Sequence, residues 1–217
     1  MGFKTTRTVQ DVADEVKRTF GDESGVQITN ADIFRWVTAA QIEIVSNNKV
    51  LKAVGTTLSV ADQYEYNLNT TMDIQYIQSI QYKGIKLKYL SFQDAETFIT
   101  SEDPNRTTKG TPEYWWDWAQ TVQFYPTPSV SGEAIKVYYY PTPTAVDALA
   151  DVLSLPDNYF NQIINYVLAR AYELDENFQA HQAKIGQFGE GLLSMSEDED
   201  RQSIEVYQTI TVRAEDL

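Results

Sequence analysis

His181 is the one histidine of a 217-residue chain that contains no cysteine. A Ser-His-Asp triad would have to use that imidazole, yet no serine stands in the Gly-x-Ser-x-Gly turn that presents a nucleophile. His181 falls on or beside the apolar stripe of a helical segment and reads as a packed or hydrogen-bonded helix residue. No phosphate-cradling P-loop or Gly-x-Gly-x-x-Gly fingerprint occurs. Without thiolates and with a single imidazole, zinc has no ligand set. The densest acidic run, Glu197 to Asp200, lacks the spaced ligands and the glycine of an EF-hand loop, and reads as a solvated link. A carboxylate pair assembled by folding would leave no spacing signature, so that possibility stays open. The reading is of a chain that is not an enzyme, with no catalytic residues, no cofactor and no metal.

The remaining concentration of chemistry is aromatic. In "TPEYWWDWAQTVQFYPTPS" (111–129), strand periodicity puts Tyr114, Trp116 and Trp118 on one side, and Trp115 and Asp117 on the other. Aligned rings can stack on a sugar or on bases. They can equally close the core of a small β unit or meet a neighbouring subunit. Core or neighbour contact is the preferred reading for Tyr114, Trp115, Trp116 and Trp118. Pro126, Pro128, Pro141 and Pro143 each follow a strand candidate and end its ladder, because proline has no N–H to donate.

The elements that must position these rings follow from periodicity. Val9, Val12, Val16 and Phe20 keep helical spacing behind a Thr8 cap, and Ile33, Val37, Ala40 and Ile44 do so behind Asn30. From about 56 to 140 the period is two. "YEYNL" alternates, and "IQYIQSIQYKGIKLKYL" reads as two strands joined at Lys83-Gly84, with Ile85, Leu87 and Tyr89 facing one way. A short helix capped by Ser91 follows, then strands near 113–118, 121–125 and 134–140. "LPDNYFNQIINYVLARAYELDENF" is the clearest helix, with Pro156 suited to its first position. Its stripe continues through Phe178, Ile185, Phe188 and Leu192. Gly186, Gly189 and Gly191 either break it or admit another backbone. "SIEVYQTITVRAEDL" alternates Ile204, Val206, Ile210 and Val212 like a strand. The fold class expected is α+β: a helical bundle of 1–50 and 155–200, a central antiparallel β insertion at 51–154, and an extended tail strand at 201–217.

Charge bears on partners. Seventeen Lys and Arg against thirty-one Asp and Glu give a formal net charge of −14. Gripping nucleic acid needs clustered cations, so this chain is expected to surround DNA without binding it specifically. No apolar run approaches the ~18 residues of a membrane span, and no signal peptide is read at the N-terminus, so no membrane partner is expected.

The order of "GTPEYWW", "VQFYPTPS" and "IKVYYYPTPT", then "LPDNYFNQIINYVLARAYELDEN", resembles the head-to-tail adaptor (connector) proteins of tailed bacteriophages over about residues 8–180. The resemblance implies a virion protein assembled in the host cytoplasm, in a homo-oligomeric, commonly dodecameric ring beneath the portal. It also implies a DNA channel through the ring and a platform for a downstream tail or nozzle protein. The terminal segment, with Ile204, Val206, Tyr207, Ile210 and Val212, is then the candidate subunit or portal contact. The alternative reading is a β-rich tail module that binds carbohydrate through Trp115, Trp116 and Trp118.

Overall fold

The computed structural model describes residues 5–213, and their side chains up to residue 196. The chain divides into two units: Met1–Val50 with Pro143–Leu217, and Leu51–Thr142.

The first unit is helical. Helix α1 (Val9–Phe20) opens on a capping box in which Thr8 Oγ1 accepts from the Asp11 N–H and the Asp11 carboxylate accepts from the Thr8 N–H. It stops at Gly21, whose φ of 88° is the left-handed conformation glycine takes freely. Helix α2 (Asn30–Asn48) is capped by Thr29 rather than Asn30, because Thr29 and Asp32 form the same reciprocal box. Between them, the buried Asp22 carboxylate accepts from the N–H groups of Val26, Gln27 and Ile28. A short 3-10 turn, Asp157–Tyr159, leads into α4 (Phe160–Leu174). The helix therefore starts later than Pro156 suggested, and Asp157 instead ties down Thr6 and Arg7. The chain turns at Asp175–Asn177, with Glu176 at φ 57°, and Asn177 Oδ1 caps α5 (Phe178–Arg213) by accepting from the Ala180 N–H.

Helices α4 and α5 run antiparallel. His181 meets Ala169, Lys184 meets Asn165, and Phe188 packs edge-on against Tyr166 at 5.1 Å. The core of the unit joins Val12, Val16, Ile33, Val37, Ile44, Ile163, Val167 and Leu168, all fully or almost fully buried. Residues 143–154, expected with the insertion, belong to this helical unit. The N–H groups of Val9 and Gln10 donate to the carbonyls of Asp151 and Leu149, and the Ser154 N–H donates to Gln41 Oε1.

The second unit stacks two sheets. The first has the order β1 (Ala53–Leu58), β10 (Ala134–Pro141), β3 (Ile74–Tyr82), β4 (Ile85–Lys86). The second has the order β2 (Glu65–Asn67), β8 (Thr121–Tyr125), β7 (Tyr114–Trp118), β5 (Lys88–Tyr89). Strands β6 (Lys109–Gly110) and β9 (Thr127–Pro128) form a small parallel pair. Ile80, Tyr82, Ile135 and Val137 from one sheet share a core with Tyr66, Trp115, Val122 and Phe124 from the other. Helix α3 (Phe92–Glu102) covers the opposite face of the second sheet. Met72 packs over Gly55 of β1, and its flexible side chain would have to shift to admit a Cβ there.

Two further sequence expectations change. Ile85, Leu87 and Tyr89 do not face one way: the segment leaves the first sheet after Lys86 and joins the second at Lys88, burying Leu87 and exposing Ile85 and Tyr89. The terminal strand is absent too, because α5 continues as helix through Arg213. Its alternating residues also recur at helical intervals, as Ile204, Tyr207 and Ile210 do. Extending an existing helix adds a hydrogen bond per residue without a new nucleus. The last four residues of the expected tail lie outside the described residues.

Candidate functional site: the aromatic strand and the projecting helix

Strand β7 divides its rings between two environments. Trp115 faces the core between the sheets, with its ring 4.8 Å from Tyr89 in an edge contact. Trp116, on the other face, is 1% exposed beneath Ala95 and Ile99 of α3, with Tyr125 beside it. Tyr114 is half-buried against Phe98 of α3. Trp118 is 55% exposed and stacks on Phe92, with ring centroids 4.2 Å apart and planes inclined by 20°. Three aligned rings are thus not available to a ligand. Helix α3 occupies that face, and Trp118 with Phe92 is the aromatic surface left to solvent.

The loop after α3 secures this packing. The Asp103 carboxylate accepts from the N–H groups of Thr107 and Thr108 and from the Thr107 hydroxyl, and these bonds hold its pKa down to about 2. The loop so formed places the Arg106 guanidinium over Tyr64 and Trp116, 4.4 and 5.4 Å from their centroids, and hydrogen-bonded to Gln123. The sequence reading missed both residues. The only signal was the turn-forming "DPNRTT" after a helix.

Near this strand, a cavity of about 640 Å³ opens between the sheets, lined by Tyr76, Tyr89, Trp115, Asp117, Gln120 and Val122. Although the Tyr89 ring is 57% exposed, partial desolvation of its phenol at the cavity wall raises its pKa, and the neighbouring Asp117 carboxylate adds to the rise. His181 is a helix-packing residue: its Nδ1 lies 2.9 Å from the Ala169 carbonyl, to which the protonated nitrogen donates. Among the described residues, no group of three His, Cys, Asp or Glu side chains could hold a metal ion. Among them, too, no helix is long and apolar enough to cross a membrane.

The second candidate surface is the far half of α5. At 1.5 Å per residue, its 36 residues extend about 54 Å, whereas α4, its antiparallel partner, has 15. Its last described contacts with α4 and α2 fall at Gly191, which lies against Gln162, and Leu192, whose carbonyl accepts from Asn48 Nδ2. The helix carrying Ile204, Val206, Tyr207, Ile210 and Val212 runs on past that point. The side chains of these five residues are outside the described residues, and the β7 aromatics lie in the other unit.

Residues 7–213 match the family described as SU10 adaptor protein, and the chain belongs to that family of phage head-to-tail adaptors. It is accordingly a structural component of the virion that associates with other head and tail proteins. No curated protein matches the chain.

Proposed function

We propose that this adaptor forms a homo-oligomeric ring, dodecameric as is common for such adaptors, below the portal of a tailed phage. There it extends the DNA channel and carries a downstream tail or nozzle protein, after assembly in the host cytoplasm. The observation that carries this reading is the family match over nearly the whole chain. The distribution of charge supports it. The helical unit has 21 acidic residues against 10 basic ones, and the β unit 10 against 7. An acidic wall repels phosphates over a Debye length of roughly 8 Å at physiological salt, so DNA passes without specific binding.

The C-terminal half of α5 serves as the subunit or portal contact through Ile204, Val206, Tyr207, Ile210 and Val212. A helix laid into a groove then replaces the extended tail strand expected for this segment. In the β unit, Trp118 and Phe92 meet a neighbour, while Trp115 and Trp116 hold the core. Native mass measurement of the protein mixed with purified portal tests the proposal. A ring-sized complement of adaptor subunits on the portal is expected. A protein that neither closes into a ring nor binds portal would overturn it, as would tight, salt-sensitive binding of duplex DNA.

A further inference from the structure

Strand β1 is an edge of the first sheet, paired with β10 on one side only. The ladder determines which of its backbone groups face outward. In an antiparallel pair, opposed residues alternate between exchanging both hydrogen bonds and turning both away. Ser59 continues the register opposite Glu133, and its N–H donates to the Glu133 carbonyl at 2.8 Å. Thr57, Gly55 and Ala53 therefore bond β10 as well, and Val54, Thr56 and Leu58 turn their N–H and C=O groups to the open side. Ala134 agrees with this phase: it stands opposite Leu58, and its carbonyl accepts from Lys83 on the side away from β1.

The same three residues are exposed in side chain, Val54 and Leu58 by 58% each. From Ala53 to Ala61 there is no charge and no proline. Natural edges are usually blunted by such residues, by bulges or by a cover, and β1 pairs with β10 without a register shift.

We propose that β1 pairs with β1 of a second copy of this chain, antiparallel across a twofold axis through Thr56. The edge is self-complementary in that register. Val54 stands opposite the partner's Leu58, and Thr56 opposite the partner's Thr56. Every outward N–H and C=O finds a partner, and both kinds of side-chain pair are favourable across strands. No like charges oppose each other at the flanks: Lys52 meets the partner's Val60, and Asp62 the partner's Val50. The two Lys136 side chains sit one strand in from the edge, three strand spacings or about 14 Å apart. The sheet's other edge is a poorer match. The Leu87 N–H donates to Ile80, which leaves only Lys86 of β4 with its backbone turned outward. In a chain of net charge −14, this uncharged stretch is where two copies can approach. A twofold contact closes on itself, so it defines a dimer that is distinct from the ring proposed above and does not rest on it.

Sedimentation velocity on the full chain tests the contact, with Thr56→Lys as the disrupting variant. A dimer is expected for the parent chain. Placing two ammonium groups face to face should weaken association at least ~tenfold and leave the circular dichroism unchanged, with a small fall in melting temperature because Lys136 of the same chain stands opposite Thr56. Because the chain has no cysteine, cross-linking reads the register without depending on how that variant folds. Cα atoms of a hydrogen-bonded pair lie about 5.5 Å apart, within disulfide reach. Thr56→Cys should form a disulfide dimer on mild oxidation, Val54→Cys alone should do so far more slowly, and Val54→Cys with Leu58→Cys should do so readily. A parent chain that stays monomeric at its highest soluble concentration would overturn the proposal. So would cross-linking of Val54→Cys as fast as Thr56→Cys.

Discussion

Gly191 of α5 lies so close to the side-chain amide of Gln162 of α4 that a Cβ on the glycine would overlap it. A β-carbon at Gly186 or Gly189 would meet nothing within 4 Å. Glycine inside a helix costs about 0.5–1 kcal/mol relative to alanine. Gly186→Ala and Gly189→Ala should therefore each stabilise the protein by up to that amount. Gly191→Ala must displace the end of the flexible Gln162 side chain, so it should gain less than the other two. Thermal melts of the three variants check the contrast, and adding Gln162→Ala to Gly191→Ala should restore the missing gain.

This contact also marks how far the helices were legible. Stripes such as Ile163, Ile164, Val167 and Leu168 announce a helix, and they recur in the structure as its buried face. The turn at Asp175–Asn177 was not legible, because "LDENF" contains neither glycine nor proline and Glu176 takes its left-handed φ from the pairing of two long helices. The three glycines suggested a break or a close approach. None of the three breaks the helix, and what approaches Gly191 is the Gln162 side chain rather than another backbone, a distinction that depends on what lies opposite.

In the β unit, local alternation carried more. The hairpin at Lys83-Gly84 has both residues at positive φ, as a two-residue turn requires, and the parity of Tyr114 to Trp118 is as the pattern says. Which side α3 would cover was not legible, since a helix seated on a sheet is a long-range contact. The cavity beside Tyr76 and Tyr89 was invisible for the same reason. The tail misled because a short β-branched run fits both periods.

Trp116 and Trp118 are two residues apart on one face of β7, yet their substitutions should differ sharply. Trp116→Ala empties a site enclosed by Ala95, Ile99 and Tyr125 and should cost about 3–5 kcal/mol. Trp118→Ala loses an exposed stack on Phe92 and should cost about 0.5–1.5 kcal/mol. Urea unfolding followed by circular dichroism separates the two. Equal losses would show that α3 does not cover Trp116 as described.

Acid should loosen both units through their buried carboxylates. Backbone N–H bonds, from Thr108 first and then Thr107, hold the Asp103 pKa down to about 2 from an ordinary 3.8. The Asp22 pKa is lowered chiefly by the Ile28 N–H. In both, the unfolded chain takes up a proton more readily than the folded one. The stabilisation is complete above the ordinary carboxylate pKa and is lost as pH falls through the folded value. Unfolding midpoints should therefore fall steeply below about pH 4. Asp103→Asn should lower stability at neutral pH and flatten part of that acid decline.

Removal of residues 203–217 tests whether the end of α5 belongs to the fold or to the assembly. The hairpin of α4 and α5 is already complete at Gly191 and Leu192, where the last described contacts with Gln162 and Asn48 fall. The truncated chain should keep its melting temperature within ~2 °C, since no described core residue is removed. Its helical ellipticity should drop only by the share of the lost turns. Co-sedimentation with purified portal should be lost, because the truncation takes away Ile204, Val206, Tyr207, Ile210 and Val212 together. A truncated protein that melts early would place these residues in the fold of the helical unit. One that melts normally and still binds portal with undiminished affinity would move the contact elsewhere, with the exposed Trp118 and Phe92 pair the next surface to substitute.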